Sequence, residues 1–221
     1  MVKFDAVYPF HGDNTFELIH SIGRLRKYAI GLRDIYIIGD DPGIEGVKVI
    51  PYIQEDAKEV NIWKKTLAAT FIPELSGRFL FMNDDHFLMD YIDSDLPNYY
   101  SGQISDIEGS EQYAAAMDRT VIELEKRGFE TFNFDIHCPI FFNKHLFQKV
   151  FMRFFNGEEI LMKSCYANSL NLSKIAMEDL KFRHFMNKQE VERFTAGRWV
   201  FSTWEEVLTH DLKDFITGYT M

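Results

Sequence analysis

Arg78-Phe79-Leu80-Phe81-Met82-Asn83-Asp84-Asp85-His86-Phe87-Leu88-Met89 runs an apolar segment straight into two adjacent carboxylates and then returns to apolar residues. An apolar run of this length predicts a strand covered on both faces, as in the interior of a parallel sheet. Ligands of open α/β sheets collect at the carboxyl ends of such strands. Carboxylates standing there suit a divalent ion shared with a diphosphate, because Mg²⁺ and Mn²⁺ prefer oxygen ligands and complete their shells with phosphate. Asn83-Asp84-Asp85 is also the composition of a plain turn, since these side chains bond readily to nearby backbone.

Outward from this segment the same acid-ended strand recurs. Phe4-Asp5-Ala6-Val7-Tyr8-Pro9-Phe10 predicts a strand stopped by Pro9, and His11-Gly12-Asp13-Asn14 a polar turn. Asn14 and Glu17 have capping-box spacing, and Phe16, Ile19, Ile22 and Leu25 share a helical face that ends before Gly31. Asp34-Ile35-Tyr36-Ile37-Ile38-Gly39 reads as a second buried strand running into Asp40-Asp41-Pro42-Gly43, and Val47-Lys48-Val49-Ile50-Pro51 as a short third. A helix over 59–71 then leads back to the Phe79 strand. This alternation predicts an α/β fold with a mainly parallel central sheet and helices on both faces.

Downstream, 90–106 is turn-rich and acidic, the kind of loop that often carries function. A helix is expected over 111–127, closed by Gly128. The span 129–142 reads as extended, interrupted by Asn133-Phe134-Asp135-Ile136-His137-Cys138-Pro139. Further helices are expected over 144–155, 158–168, 174–185 and 203–208. With no repeat, low-complexity tract or linker, a single domain over 1–221 is expected, divided functionally into 1–90 and 91–221.

Composition narrows the classes. The 221 residues, 46% hydrophobic, can bury a substantial core without staples. Cys138 and Cys165 show neither metal nor framework spacing, which points to reduced thiols and a cytoplasmic location. The first residues lack a signal-peptide core, and no apolar run approaches the ~20 residues of a membrane span. A formal charge of -10 disfavours a broad nucleic-acid surface. Most of the 21 Phe and 10 Tyr residues lie in apolar runs, so packing is their expected use.

Three segments together, Val7-Tyr8-Pro9-Phe10-His11-Gly12-Asp13, Ile37-Ile38-Gly39-Asp40 and Phe79-Leu80-Phe81-Met82-Asn83-Asp84-Asp85, resemble the GT-A family of nucleotide-sugar glycosyltransferases. In that family the first loop and the end of the second strand cradle the nucleotide, and a DxD-type motif after a later strand holds metal and diphosphate. This chain has Asn83 where a strict DxD motif begins with Asp. The carry-over therefore makes Asp85 the metal ligand and puts Asp84 near the ribose or the ion. The Asn-Asp-Asp form followed by Phe and Leu is also similar to the Stealth group of sugar-phosphate transferases, and the small size resembles compact bacterial or phage members. The resemblance implies a GT-A-like fold and a glycosyltransferase dependent on Mn²⁺ or Mg²⁺. It would move sugar from a nucleotide diphosphate sugar, with UDP the expected nucleotide, to an acceptor hydroxyl on a glycan or a modified DNA base. A Stealth-like sugar-phosphate transferase and a non-catalytic protein- or glycan-binding module are the alternatives.

Other candidate residues follow from position and chemistry. Asp13 and Asp40 stand where base and ribose would lie, and carboxylates accept hydrogen bonds from such groups; either can instead cap a turn. Lys64 and Lys65 precede the metal strand and offer a point charge to phosphate or sugar. Successive helical residues diverge by about 100°, so at most one of them faces the site. Asp135 and His137 alternate with Phe134 and Ile136, and in an extended strand they share one face. Facing the sugar, Asp135 would take the acceptor proton and His137 would complete the metal shell. Facing water, they mark an edge strand ended by Pro139. His11, His86 and Lys163 are weaker candidates, being single polar residues beside apolar runs.

Overall fold

The computed structural model describes residues 2–107 and 110–218. The first half follows the expected alternation: β1 (Phe4–Phe10), α1 (Phe16–Tyr28), β2 (Leu32–Gly39), β3 (Lys48–Pro51), α2 (Lys58–Ala69) and β4 (Arg78–Phe81). The chain continues through β5 (Phe87–Leu88), β6 (Asn98–Tyr100), α3 (Glu111–Glu125), β7 (Ile140–Asn143), α4 (Lys144–Phe154) and α5 (Met162–Ser169). It closes with β8 (Lys174–Ala176), β9 (Lys181–Phe182), α6 (Lys188–Thr195), β10 (Val200–Thr203) and α7 (His210–Gly218).

The central sheet has the order β3-β2-β1-β4-β7. Its first four strands are parallel, and β7 runs antiparallel to β4 with Ile140 opposite Phe81. Side chains alternate between faces, so each apolar strand serves two cores. Val7, Tyr36, Ile38, Phe79, Phe81 and Phe142 point to one face, where they pack with Trp63 of α2, Phe147 of α4 and Tyr166 of α5. Ala6, Tyr8, Ile35, Ile37, Leu80 and Phe141 point to the other, against Leu18, Ile22 and Leu25 of α1. Each fully buried Phe or Leu contributes about 1.5–3 kcal/mol of transfer free energy, which explains why these strands are apolar throughout. The indole of Trp63 is satisfied inside its core by the Ile160 carbonyl at 2.9 Å.

A second, three-stranded sheet of order β5-β10-β9 builds a separate cluster with α6 and α7 around Phe87, Phe182 and Phe201. Arg24 of α1, fully buried, joins this cluster to the rest through the carbonyls of Leu88 and Ile216, each at 3.2 Å. Among the described residues no helix is long and apolar enough to cross a membrane.

Several local expectations are corrected. The capping box at α1 does not form: Thr15 is the N-cap without a side-chain bond, and Glu17 turns inward to the hydroxyl of Thr203. The 174–185 segment is not helical, because β8 pairs with distant β6 and β9 with β10. Strand partners supplied by the rest of the molecule there outweigh a weak local helix preference. The 203–208 helix shrinks to a 3-10 turn at Glu205–Val207. Of the 129–142 span only β7 is ladder strand, and Phe132 makes an isolated bridge to Gln103.

Candidate active site

Because β1, β2 and β4 are adjacent and parallel, their carboxyl ends share one edge of the sheet. Their loops are tied together there. The Asp40 Oδ2 atom, just past β2, accepts the Gly12 N–H at 2.8 Å and lies 2.7 Å from His11 Nδ1. The Gly12 amide and then the His11 imidazole hold this exposed carboxyl below its usual pKa. Asp13 is exposed on the same loop. Gly39 permits the close approach of β1 and β2: its φ is +141°, and a Cβ there would lie 1.9 Å from the Phe10 carbonyl oxygen. The neighbouring lysines separate as helix geometry requires. Lys65 is buried and donates to Phe10 O at 2.7 Å and Gln54 Oε1 at 3.0 Å, whereas Lys64 turns away to pair with Asp56. Burial depresses the Lys65 pKa, against the attraction of Asp40 and Asp84.

At the end of β4 the polypeptide turns sharply, and the His86 N–H bonds Asn83 O at 3.2 Å. His86 is an interior structural residue. Its Nδ1 accepts the Asn83 N–H at 3.1 Å, which puts the ring proton on Nε2, and burial drops its pKa to about 3. Its carbonyl takes the Ser21 hydroxyl at 2.6 Å, and Ser21 in turn contacts Tyr8 OH at 3.0 Å. This fixes the motif turn to α1 and β1.

Asp85 points inward. Its Oδ2 accepts the Ser202 hydroxyl at 2.5 Å and the Lys181 ammonium at 3.1 Å, while Oδ1 is buried with no hydrogen-bond partner among the described residues. Burial pushes the Asp85 pKa up, but the Lys181 charge and the Ser202 bond contribute to holding it well below the carboxylate range. Asp84 goes the opposite way, raised to about 6 by burial and by the negative charge of Asp85. Glu17 joins the same field: burial and then the charges of Asp85 and Asp84 raise its pKa to about 7 despite the Thr203 bond.

Asp135 and His137 do not share a strand face, since 133–139 is irregular. Asp135 instead caps α5 from outside the helix. Its Oδ1 accepts the Lys163 N–H at 3.2 Å, and its Oδ2 accepts the Ser164 N–H at 2.8 Å and hydroxyl at 2.6 Å. Lys163 returns the contact, its buried ammonium donating to the carbonyls of Ile136 and Cys138 on either side of His137. His137 is oriented by Asp179, which lies 2.9 and 3.0 Å from Nδ1, accepts the His137 N–H at 3.1 Å and pairs with Arg183 at 2.7 Å. A carboxylate on Nδ1 fixes the proton there and leaves Nε2 as the nitrogen offered to a ligand. Burial lowers the His137 pKa against the Asp179 bond, and His137 and Asp85 lie within each other's electrostatic reach.

Among the described residues no three His, Cys, Asp or Glu side chains are placed to hold a metal together. Asp84 and Asp85, with the orphaned Oδ1, fit a different demand: Mg²⁺ and Mn²⁺ are often held by one or two carboxylates and finished by substrate phosphate and water. Two surface hollows of about 370 and 440 Å³ flank α6, lined by Phe185, Arg193 and Phe194 in one and by Asp90, Arg198 and Trp199 in the other. Neither gathers buried carboxylates, so the strand edge is the better candidate on chemistry. Glu17, Asp179, Lys181 and Ser202 entered the site unforeseen; only the Glu17 position belongs to a segment whose helical placement was readable. No protein-family model and no curated protein sequence matches the chain.

Proposed function

We propose that this protein is a nucleotide-sugar-dependent transferase with a GT-A-like fold, acting on an acceptor hydroxyl. The observation that carries the reading is the convergence of three adjacent parallel strand ends, bearing Asp40, the Lys65-buttressed β1–β2 junction and Asp84-Asp85, on one edge. Asp13 and Asp40 then meet the nucleotide; one oxygen of Asp40 is committed to Gly12 and His11, which leaves the other for a ribose or base donor. Asp84 and Asp85 would hold Mn²⁺ or Mg²⁺, which when bound offsets the charge on the departing nucleotide. Asp135 keeps α5 and the His137 loop in place, and the base role expected of it passes to His137, a neutral imidazole aligned by Asp179. The acceptor is a glycan hydroxyl or a modified DNA base, with the net charge of -10 weighing against the latter.

Glycosyl transfer to the acceptor is the first reading. The mutual electrostatic influence of His137 and Asp85 favours a second, transfer of sugar phosphate. A base serving direct displacement at the anomeric carbon stands across the sugar from the diphosphate, whereas a base serving attack at phosphorus stands close to the metal carboxylates. Incubation with UDP-sugars, Mn²⁺ and a hydroxyl acceptor separates the two, releasing UDP in the first case and UMP in the second. Partner binding undiminished by chelation, with neither nucleotide released, would instead indicate a non-catalytic binding module.

A further inference from the structure

Among the cations at this edge, Lys65 is spent on the Phe10 carbonyl and the Gln54 side chain and Lys163 on two backbone carbonyls, whereas Lys181 is placed on the motif carboxylate itself. Lys181 and Ser202 lie opposite each other in the parallel β9–β10 pair, so two donors from neighbouring strands reach the same oxygen of Asp85. Both members of the ion pair are largely withdrawn from water, with side-chain exposures of 13% for Lys181 and 12% for Asp85. An ammonium has three N–H groups, and only the one on Asp85 is used within the described residues. A divalent ion on the unpartnered Oδ1 of Asp85 would offset the charge that holds this ammonium on Oδ2 and would free it for a diphosphate.

We propose that Lys181 is a diphosphate-binding residue, held by Asp85 in the unliganded protein and handed to the donor phosphates when a divalent ion occupies the carboxylates. The inference rests on the transferase reading and adds to it a residue from the second half of the chain. The hand-off gives Lys181 two effects of opposite sign: without nucleotide it competes with metal, and with nucleotide it supports binding. A merely structural ion pair produces no such reversal.

The test uses the full chain, with Mn²⁺ alone and then UDP in saturating Mn²⁺ as probes, both followed by calorimetry. Lys181→Met is expected to bind Mn²⁺ alone about threefold more tightly and UDP about tenfold more weakly, while Lys181→Arg stays near the wild type in UDP affinity. In the wild type, the ¹⁵Nζ resonance of Lys181, assigned by its loss in Lys181→Arg, is expected to shift when UDP is added with Mg²⁺. This second reading does not depend on the methionine variant folding. Unchanged UDP affinity in Lys181→Met, weaker Mn²⁺ binding in it, or a stationary Lys181 resonance overturns the proposal and leaves the transferase reading standing. A wild type that binds no UDP overturns both.

Discussion

Asp84 and Asp85 are neighbours in sequence with opposite electrostatic fates, and the difference lies in what the rest of the molecule brings to each. Asp85 receives Lys181 and Ser202, while Asp84 feels mainly burial and the charge of Asp85. Glu17 bears the same strain in measurable form. Its folded pKa of about 7 stands above the ordinary 4.5, so the folded state holds this proton more tightly than the unfolded one. The contribution to stability is fully present below about pH 4.5 and is lost as pH rises through about 7. Glu17→Gln is therefore expected to stabilise the metal-free protein by about 1–3 kcal/mol at pH 8 and by nearly nothing at pH 4, as read from urea unfolding at both values. An equal effect at the two values would show that Glu17 is not strained by ionisation. At His137 the prediction concerns orientation: Asp179→Asn should lower acceptor transfer at least about tenfold with UDP affinity little changed, measured by kcat and calorimetry side by side. None of these pairings was readable in the sequence, since Glu17–Thr203, Asp85–Lys181 and His137–Asp179 join positions 186, 96 and 42 residues apart.

At the scale of elements, the apolar strands were legible because burial on both faces leaves continuous runs such as 79–82 that few other structures explain. Short edge pairs such as β8 and β9 leave no such trace. Their hydrogen bonds come from partners far along the chain, and their side chains are of mixed polarity. The segment before β7 shows how an alternating pattern can mislead: Asp135 and His137 are two residues apart, yet one caps a helix and the other joins Asp179. This gives Asp135 a distinctive signature. Asp135→Ala leaves the Lys163 and Ser164 amides without their acceptor and is expected to cost about 1–2 kcal/mol of stability, with Asp135→Asn costing less. Urea unfolding of both variants checks it. Were Asp135 instead the base, Asp135→Asn would abolish transfer at unchanged stability.

Over the whole molecule, the two halves of the chain meet at the β4 edge. The first contributes Asp40, Lys65 and Asp84-Asp85; the second contributes His137, Asp179, Lys181 and Ser202. The α/β class and the strand-end positions of Asp40 and Asp84-Asp85 were legible because they follow from strand ends in chain order. The second half's contribution was not, because it depends on how β9 and β10 pair and where the small sheet docks. The most direct measurement is a calorimetric titration of UDP into the full chain with Mn²⁺, repeated on Asp40→Ala and after chelation. Saturable binding is expected that weakens by about 1–3 kcal/mol in Asp40→Ala, where a ribose or base donor loses a charged acceptor, and falls sharply without the metal. No binding to the wild type, or binding indifferent to both Asp40→Ala and chelation, would contradict this expectation.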